Sequence, residues 1–153
     1  MHVQATLVRE VMSSPVIVIQ EDAPVEEAQA LMEENGIRRL PVVDAEGRLV
    51  GIITQGDVRE ATAVKATINP YAPEAAEEWL TVAEAMTPRP ITVTPETPLW
   101  KAAELLIENK IGGIPVLDRD GNVCGMVTTS DILKLVVTWW RSTREEDQTT
   151  SLT

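Results

Sequence analysis

The sequence predicts a mixed α+β fold written as two copies of a β-α-β-β-α unit. Two observations carry this. Sliding the 153-residue chain against itself by 74 positions lays residues 8–61 on 82–135 without a gap, and 17 of those 54 pairs are identical. Each copy also runs through the same order of patterns: a β-branched run, a stretch of helical period, then two more β-branched runs joined by a turn. An ungapped internal match of this length marks a duplication, which sets the architecture before any single element is placed.

The elements follow in order. "VREVM" and "VAEAM" read as short helical entries, and "PVIVI" and "PITVT" as first strands. Val25, Ala28, Leu31 and Met32 recur at helical spacing, as do Leu99, Ala102, Leu105 and Leu106. Pro24 and Pro98 suit the first turn of those helices, where a missing N–H is harmless, and Gly36 and Gly112 suit their ends. "RLPVVD" and "GIPVLD" read as second strands, "LVGIIT" and "VCGMVT" as third strands. The turns "DAEG" and "DRDG" fold each pair into a hairpin. A last helix starts from Asp57 or Asp131.

The repeats span 1–61 and 82–141, with a connector at 62–81 and a polar, disordered tail at 142–153. Asn69-Pro70 and Ala72-Pro73 break the connector, and "EAAEEWL" reads as a helical turn or two. A unit of roughly 50 residues buries too little surface to be secure alone. Two copies packed sheet to sheet around a shared core are the expected solution. With four Trp, one Tyr and no Phe, that core is aliphatic.

Charge and composition exclude several functions. A formal net charge of −11 opposes binding to nucleic acid, which relies on Lys and Arg, and to an anionic membrane surface. Cys124 is the only cysteine, so no internal disulfide or cysteine metal cluster forms; aligned with Val50, it reads as a small buried hydrophobe. His2 has no partner at metal-ligand spacing. No apolar run approaches ~20 residues, and "MHVQATLVREVM" lacks a signal-peptide core. The expected setting is soluble and cytoplasmic. There is no Ser-His or Cys-His pair, no Walker-type glycine loop and no metal cluster, so the chain is not expected to be an enzyme.

The most specific motif is Gly-x-x-Thr-x-x-Asp, present as "GIITQGDV" and "GMVTTSDI". Thr54 with Asp57, and Thr128 with Asp131, stand at capping-box spacing, with Asp replacing the preferred Glu or Gln. A helix cap accounts for both pairs without any ligand.

With "VMSSPVIVI" and "AMTPRPITV", "APVEEAQALM" and "TPLWKAAELL", and "GIRRLPVVD" and "KIGGIPVLD", these stretches resemble the CBS-domain family (cystathionine-β-synthase-type repeats). A tandem pair of such repeats is called a Bateman module. The resemblance covers roughly residues 7–138. It implies two repeats about a pseudo-two-fold axis, a homodimer shaped as a flat disc, and adenosine-containing ligands (AMP, ADP, ATP, NAD or S-adenosylmethionine) in clefts between repeats. In the family the motif Asp holds ribose hydroxyls and the Thr lies near ribose or phosphate.

The chemistry is compatible with that implication. An ionised carboxylate offers only acceptors, ribose hydroxyls are donors, and a helix N-terminus offers free N–H groups to phosphate. Because the Asp repels phosphate, a cation should compensate. Arg38 and Arg39 are the candidates in repeat 1, although an exposed pair contacting surface acids explains them as well. Gly112 and Gly113 replace them in repeat 2, where Lys110 is a partial substitute, so the two clefts should differ. Ile17, Ile37, Ile91 and Ile111 are candidate adenine walls or ordinary core. Thr87 is a candidate phosphate contact or a turn or cap residue. Trp139 and Trp140 either cover the core or contribute to a dimer surface.

Two functions follow. One is a regulatory module with no required cofactor or metal, which senses an adenosine ligand by population shift and is read by an unknown effector protein. The alternative is a ligand-free dimerisation or scaffold module.

Overall fold

A computed structural model of the chain describes residues 5–14, 16–68 and 80–151. These residues fold as two compact units. Unit 1 gathers the described residues of Met1–Val16, Thr92–Arg119 and Cys124–Thr153; unit 2 gathers those of Ile17–Ile91 and Asp120–Val123. The units therefore cut across the sequence repeats. The entry segment of each repeat belongs with the strands and helices of the other.

In unit 2, β1 (Ile19–Gln20) leads through α1 (Val25–Asn35) to β2 (Arg39–Val43) and β3 (Leu49–Thr54), followed by α2 (Gln55–Ile68). After the connector come α3 (Val82–Ala85) and β4 (Thr87–Pro88). The sheet order is β1-β2-β3-β4. β1 lies parallel to β2, with Ile19 opposite Val42, and α1 provides the crossover that a parallel pair requires. β2 and β3 form the expected antiparallel hairpin. Asp44 shapes its turn, accepting on Oδ1 from the amides of Glu46 at 3.0 Å and Arg48 at 2.9 Å. β4 pairs antiparallel with β3, placing Thr87 opposite Ile52. The core joins α1 residues Val25, Ala28 and Met32 to strand residues Leu40, Val42 and Ile53, with Val82 of the entry segment sealed among them.

Unit 1 repeats the plan with α4 (Leu99–Asn109), β5 (Gly113–Leu117), β6 (Val123–Thr128) and α5 (Thr129–Ser151). Its outer pairings are single bridges. Val93 lies parallel to Val116 and Ser13 antiparallel to Met126. These are the 74-residue counterparts of Ile19–Val42 and of Thr87–Ile52. Val8, Leu99, Ala102, Leu106, Ile114 and Val116 are buried in this unit.

Several expectations need correction. The first strands shrink to Ile19–Gln20 and to one bridge at Val93. Thr87 is not a turn or cap residue; it lies in β4. The last helices begin at Gln55 and Thr129, two residues before the aspartates. Gly36 ends α1 in the left-handed conformation at φ 62°, as expected, but α4 ends on Lys110 at φ 53° and not on Gly112. Lys110 is the register partner of Gly36, so geometry was kept where the side chain changed. The segment expected to be a disordered tail carries α5 on to Ser151; it contains no Gly or Pro to stop a helix. His2, the prolines at 70 and 73, and all but the last residue of "EAAEEWL" lie outside the described residues.

Candidate functional site

The Thr-x-x-Asp pairs close the first turn of α2 and α5. In unit 2 the Thr54 amide donates to Asp57 Oδ2 at 2.9 Å, and the Asp57 amide donates to Thr54 Oγ1 at 3.1 Å. In unit 1 the Thr128 amide donates to Asp131 Oδ2 at 2.9 Å, and the Asp131 amide donates to Thr128 Oγ1 at 3.3 Å. This is the reciprocal capping box that the spacing predicts, and all four residues are half-buried.

The two boxes differ in one proton. The Thr128 hydroxyl donates to Asp131 Oδ2 at 3.0 Å, so its only O–H is spent within the motif. The Thr54 hydroxyl accepts from Asp57 and makes no such donation. In both boxes the cap uses Oδ2, and among the described residues no hydrogen bond engages Oδ1 of Asp57 or Asp131. One carboxylate oxygen builds the helix, and the other remains an acceptor on a half-buried surface.

The arginines stand beside this box. Arg39 lies opposite Thr54 in the β2–β3 register. The Arg38 carbonyl accepts from the Gln55 amide at 2.8 Å, which ties the strand entry to the first residue of α2. Unit 1 keeps the same backbone bond, from the Thr129 amide to the Gly112 carbonyl at 3.0 Å, with no side chain on the acceptor residue. The loss of charge predicted by the Arg-to-Gly exchange thus occurs at equivalent points of the two units.

A groove of about 400 Å³ opens in unit 2 between the end of α1 and the start of α2, with Gln29, Glu33, Ile37, Arg38, Gln55 and Arg59 in its walls. The counterpart in unit 1 holds about 170 Å³, with Ala103, Ile107, Ile111, Thr129, Ile132 and Leu133. The first sets charged and polar side chains among apolar ones, Met32, Ile37 and Val58, whereas the second is almost wholly apolar, although both are built at the same repeat positions.

Unit 2 collects eight of the predicted residues: Ile17, Ile37, Arg38, Arg39, Thr54, Asp57, Thr87 and Ile91. Ile17 and Ile37 pack half-buried on its core. Ile91 is also half-buried, and Thr87 is exposed on the edge strand. Unit 1 holds Ile111, Thr128 and Asp131. Ser13, the register partner of Thr87, pairs with Met126 beside β6.

The motif glycines record that crossing. A Cβ on Gly51 would stand 2.9 Å from the Thr87 carbonyl oxygen, and one on Gly125 would stand 2.7 Å from Met12 Sδ and 3.1 Å from the Ser13 carbonyl oxygen. Only glycine lets the entry segment lie this close to β3 or β6.

Cys124 is only half-buried. Burial pushes its thiol pKa up, with Asp118 and Glu96 adding in the same direction, which disfavours the reactive thiolate. Among the described residues no cluster of three His, Cys, Asp or Glu is arranged to hold a metal ion, and no helix is long and apolar enough to cross a membrane.

Comparison with known proteins places this geometry. Residues 8–63 and 82–138 each match the CBS domain, and the chain belongs to the CBS-domain family. A CBS domain-containing protein of Dictyostelium discoideum is 39% identical over 137 residues, covering 86% of this chain and 91% of that protein. The CBS domain pair of protein MJ0100, solved with 5′-methylthioadenosine and S-adenosyl-L-methionine, superposes with a TM-score of 0.74 at 32% identity, covering 88% of this chain and 98% of that one. CBSX2 in complex with AMP superposes with a TM-score of 0.70 at 27% identity, covering 86% and 96%. The homoserine O-acetyltransferase of Methanohalobium evestigatum is 33% identical to this chain, which spans only 24% of that enzyme's length.

Proposed function

We propose that the chain is a non-enzymatic regulatory module that binds an adenosine-containing ligand (AMP, ADP, ATP, NAD or S-adenosylmethionine) at its Thr-x-x-Asp boxes and acts as a homodimer read by an effector protein. The observation that carries this is the division of labour within each aspartate. Oδ2 is committed to the cap, and Oδ1 stays available to accept from ribose hydroxyls. The complexes of the MJ0100 pair and of CBSX2 with adenosine compounds support the ligand class.

Arg38 and Arg39 beside Thr54 favour a phosphate-bearing ligand in unit 2. The glycines of unit 1, together with a threonine hydroxyl already donated, favour an uncharged or weakly charged adenosine compound there. Calorimetric titration with AMP and with 5′-methylthioadenosine tests this: AMP should require Asp57, and 5′-methylthioadenosine should require Asp131. Equal loss of both compounds on either single substitution would contradict the assignment.

The second reading is a ligand-free scaffold, favoured by the completeness of the capping boxes. It predicts that Asp57→Ala and Asp131→Ala change stability alone, with no saturable nucleotide response in the parent chain.

A further inference from the structure

The groove of unit 2 is basic in a chain whose 24 acids outnumber its 13 lysines and arginines. Arg38 and Arg59 both stand in its walls, and neither side chain makes an ion pair or hydrogen bond among the described residues. Glu33 is the acid in the wall, and its Oε1 accepts from Gln29 Nε2 at 3.3 Å. Two guanidinium groups against one carboxylate leave the groove net positive. The matching positions of unit 1 carry Gly112 for Arg38 and Leu133 for Arg59, so this charge belongs to one unit only.

The groove is built from two facing ladders. Gln29 and Glu33 stand at i and i+4 on α1, and Gln55 and Arg59 at i and i+4 on α2, so each pair lines one wall. Met32 and Val58, each 4% exposed, give it an apolar base, which Ile37 extends. The Thr-x-x-Asp box lies elsewhere. Asp57 is two residues from both Gln55 and Arg59, about 200° round the helix, on the other side of α2. Thr54, Asp57 and Arg39 do not line the groove.

We propose that the α1–α2 groove of unit 2 is a second binding site, separate from the Thr-x-x-Asp box, for a small organic oxyanion. Its phosphate or carboxylate head is held by Arg38 and Arg59, and its apolar body lies on Met32, Ile37 and Val58. The volume of about 400 Å³ suits such a ligand, since small-molecule sites span roughly 300–1,000 Å³. Guanidinium forks match the oxygens of either head group, and the two glutamine amides add neutral donors beside them. The anion also relieves the repulsion between two like charges sharing one groove. Arg38 adjoins the box, because its carbonyl accepts from the Gln55 amide, whereas Arg59 belongs to the groove alone. Arg59 therefore carries the test.

Two-dimensional NMR of the nitrogen-labelled full chain, titrated with phenyl phosphate, 3-phenylpropionate and inorganic phosphate, provides it. At least one of the two organic probes should shift the Gln29 and Gln55 side-chain amide signals saturably at millimolar concentration, and the tighter one identifies the head group. Inorganic phosphate, which has no apolar body, should bind at least several-fold more weakly than phenyl phosphate. Arg59→Leu, which installs the unit 1 residue, should weaken binding at least about tenfold, the usual effect of losing a hydrogen bond to a charged group. Arg59→Lys should fall between, because lysine keeps the charge without the fork. Arg59 is exposed, so thermal unfolding should stay close to that of the parent, and Arg38→Gly provides an independent probe should that variant fold poorly.

No saturable shift with either organic probe, or equal affinity in Arg59→Leu, would overturn the site. Saturating shifts confined to the Thr54 and Asp57 amides would place the probe at the box and overturn a second site. Inorganic phosphate binding as tightly as phenyl phosphate would overturn the part given to Met32, Ile37 and Val58. None of these outcomes depends on whether AMP binds at the box.

Discussion

Thr54 and Asp57 hold each other twice: the Thr54 amide donates to Asp57 Oδ2 and the Asp57 amide donates to Thr54 Oγ1. Because this exchange occupies only one carboxylate oxygen, capping and ligand binding are separable by substitution. Asp57→Ala should lower unfolding free energy by about 1 kcal/mol, the usual value of a lost cap. Asp57→Asn can place its amide oxygen toward the Thr54 amide but then offers the ligand an NH₂ where Oδ1 stood. It should keep most of the stability and lose nucleotide affinity. Urea unfolding and calorimetric titration of the two variants check both halves.

Gly51→Ala and Gly125→Ala should each destabilise the fold by about 1–3 kcal/mol, the range for a methyl group forced into packed surroundings. The added carbon would press on the Thr87 carbonyl in one case and on Met12 and the Ser13 carbonyl in the other. Chemical denaturation provides the measurement. A neutral result at both positions would contradict the close crossing of the entry segments.

Lys110→Gly should stabilise the chain by about 0.5–1 kcal/mol, because glycine enters the left-handed conformation without the steric cost of a Cβ. Lys110 occupies that conformation at φ 53°. Gly36→Lys, installing the same residue at the equivalent cap, should destabilise by a similar amount. The expected signs are opposite at positions that the duplication made equivalent, and thermal melts distinguish them.

The Cys124 thiol should react slowly with iodoacetamide in the folded chain, with the midpoint of its pH–rate profile above that of the urea-unfolded chain. Burial, reinforced by Asp118 and Glu96, raises its folded pKa. The folded state therefore binds the thiol proton more tightly than the unfolded state. The stability linked to this group is full below the unfolded pKa and is lost as pH rises through the folded one.

Much of this arrangement was legible in the sequence because it is local. The hairpins, the paired helices and both capping boxes depend on residues within a few positions of one another, and the duplication showed each pattern twice. The exchange of entry segments was not legible. Nothing in "VREVM" states that Val8 is buried with Leu99 and Ile114 in one unit, since any aliphatic pocket of the right size accepts a valine. Lys110 at a left-handed cap was missed because its side chain argues against that conformation; only alignment with Gly36 reveals it. The continuation of α5 to Ser151 is not legible because a polar run without an apolar stripe reads as frayed, although Thr143 Oγ1 bonds back to the Trp139 carbonyl at 3.0 Å within a continuous helix.

Ligand binding at the aspartates is tested most directly by calorimetric titration of AMP into the parent chain and into the Asp57→Asn, Asp131→Asn double variant, each shown to be folded by circular dichroism. Saturable binding to the parent that is absent from the double variant is the predicted result. No binding to the parent at millimolar AMP, or equal affinity in the double variant, would contradict AMP binding at the Thr-x-x-Asp boxes.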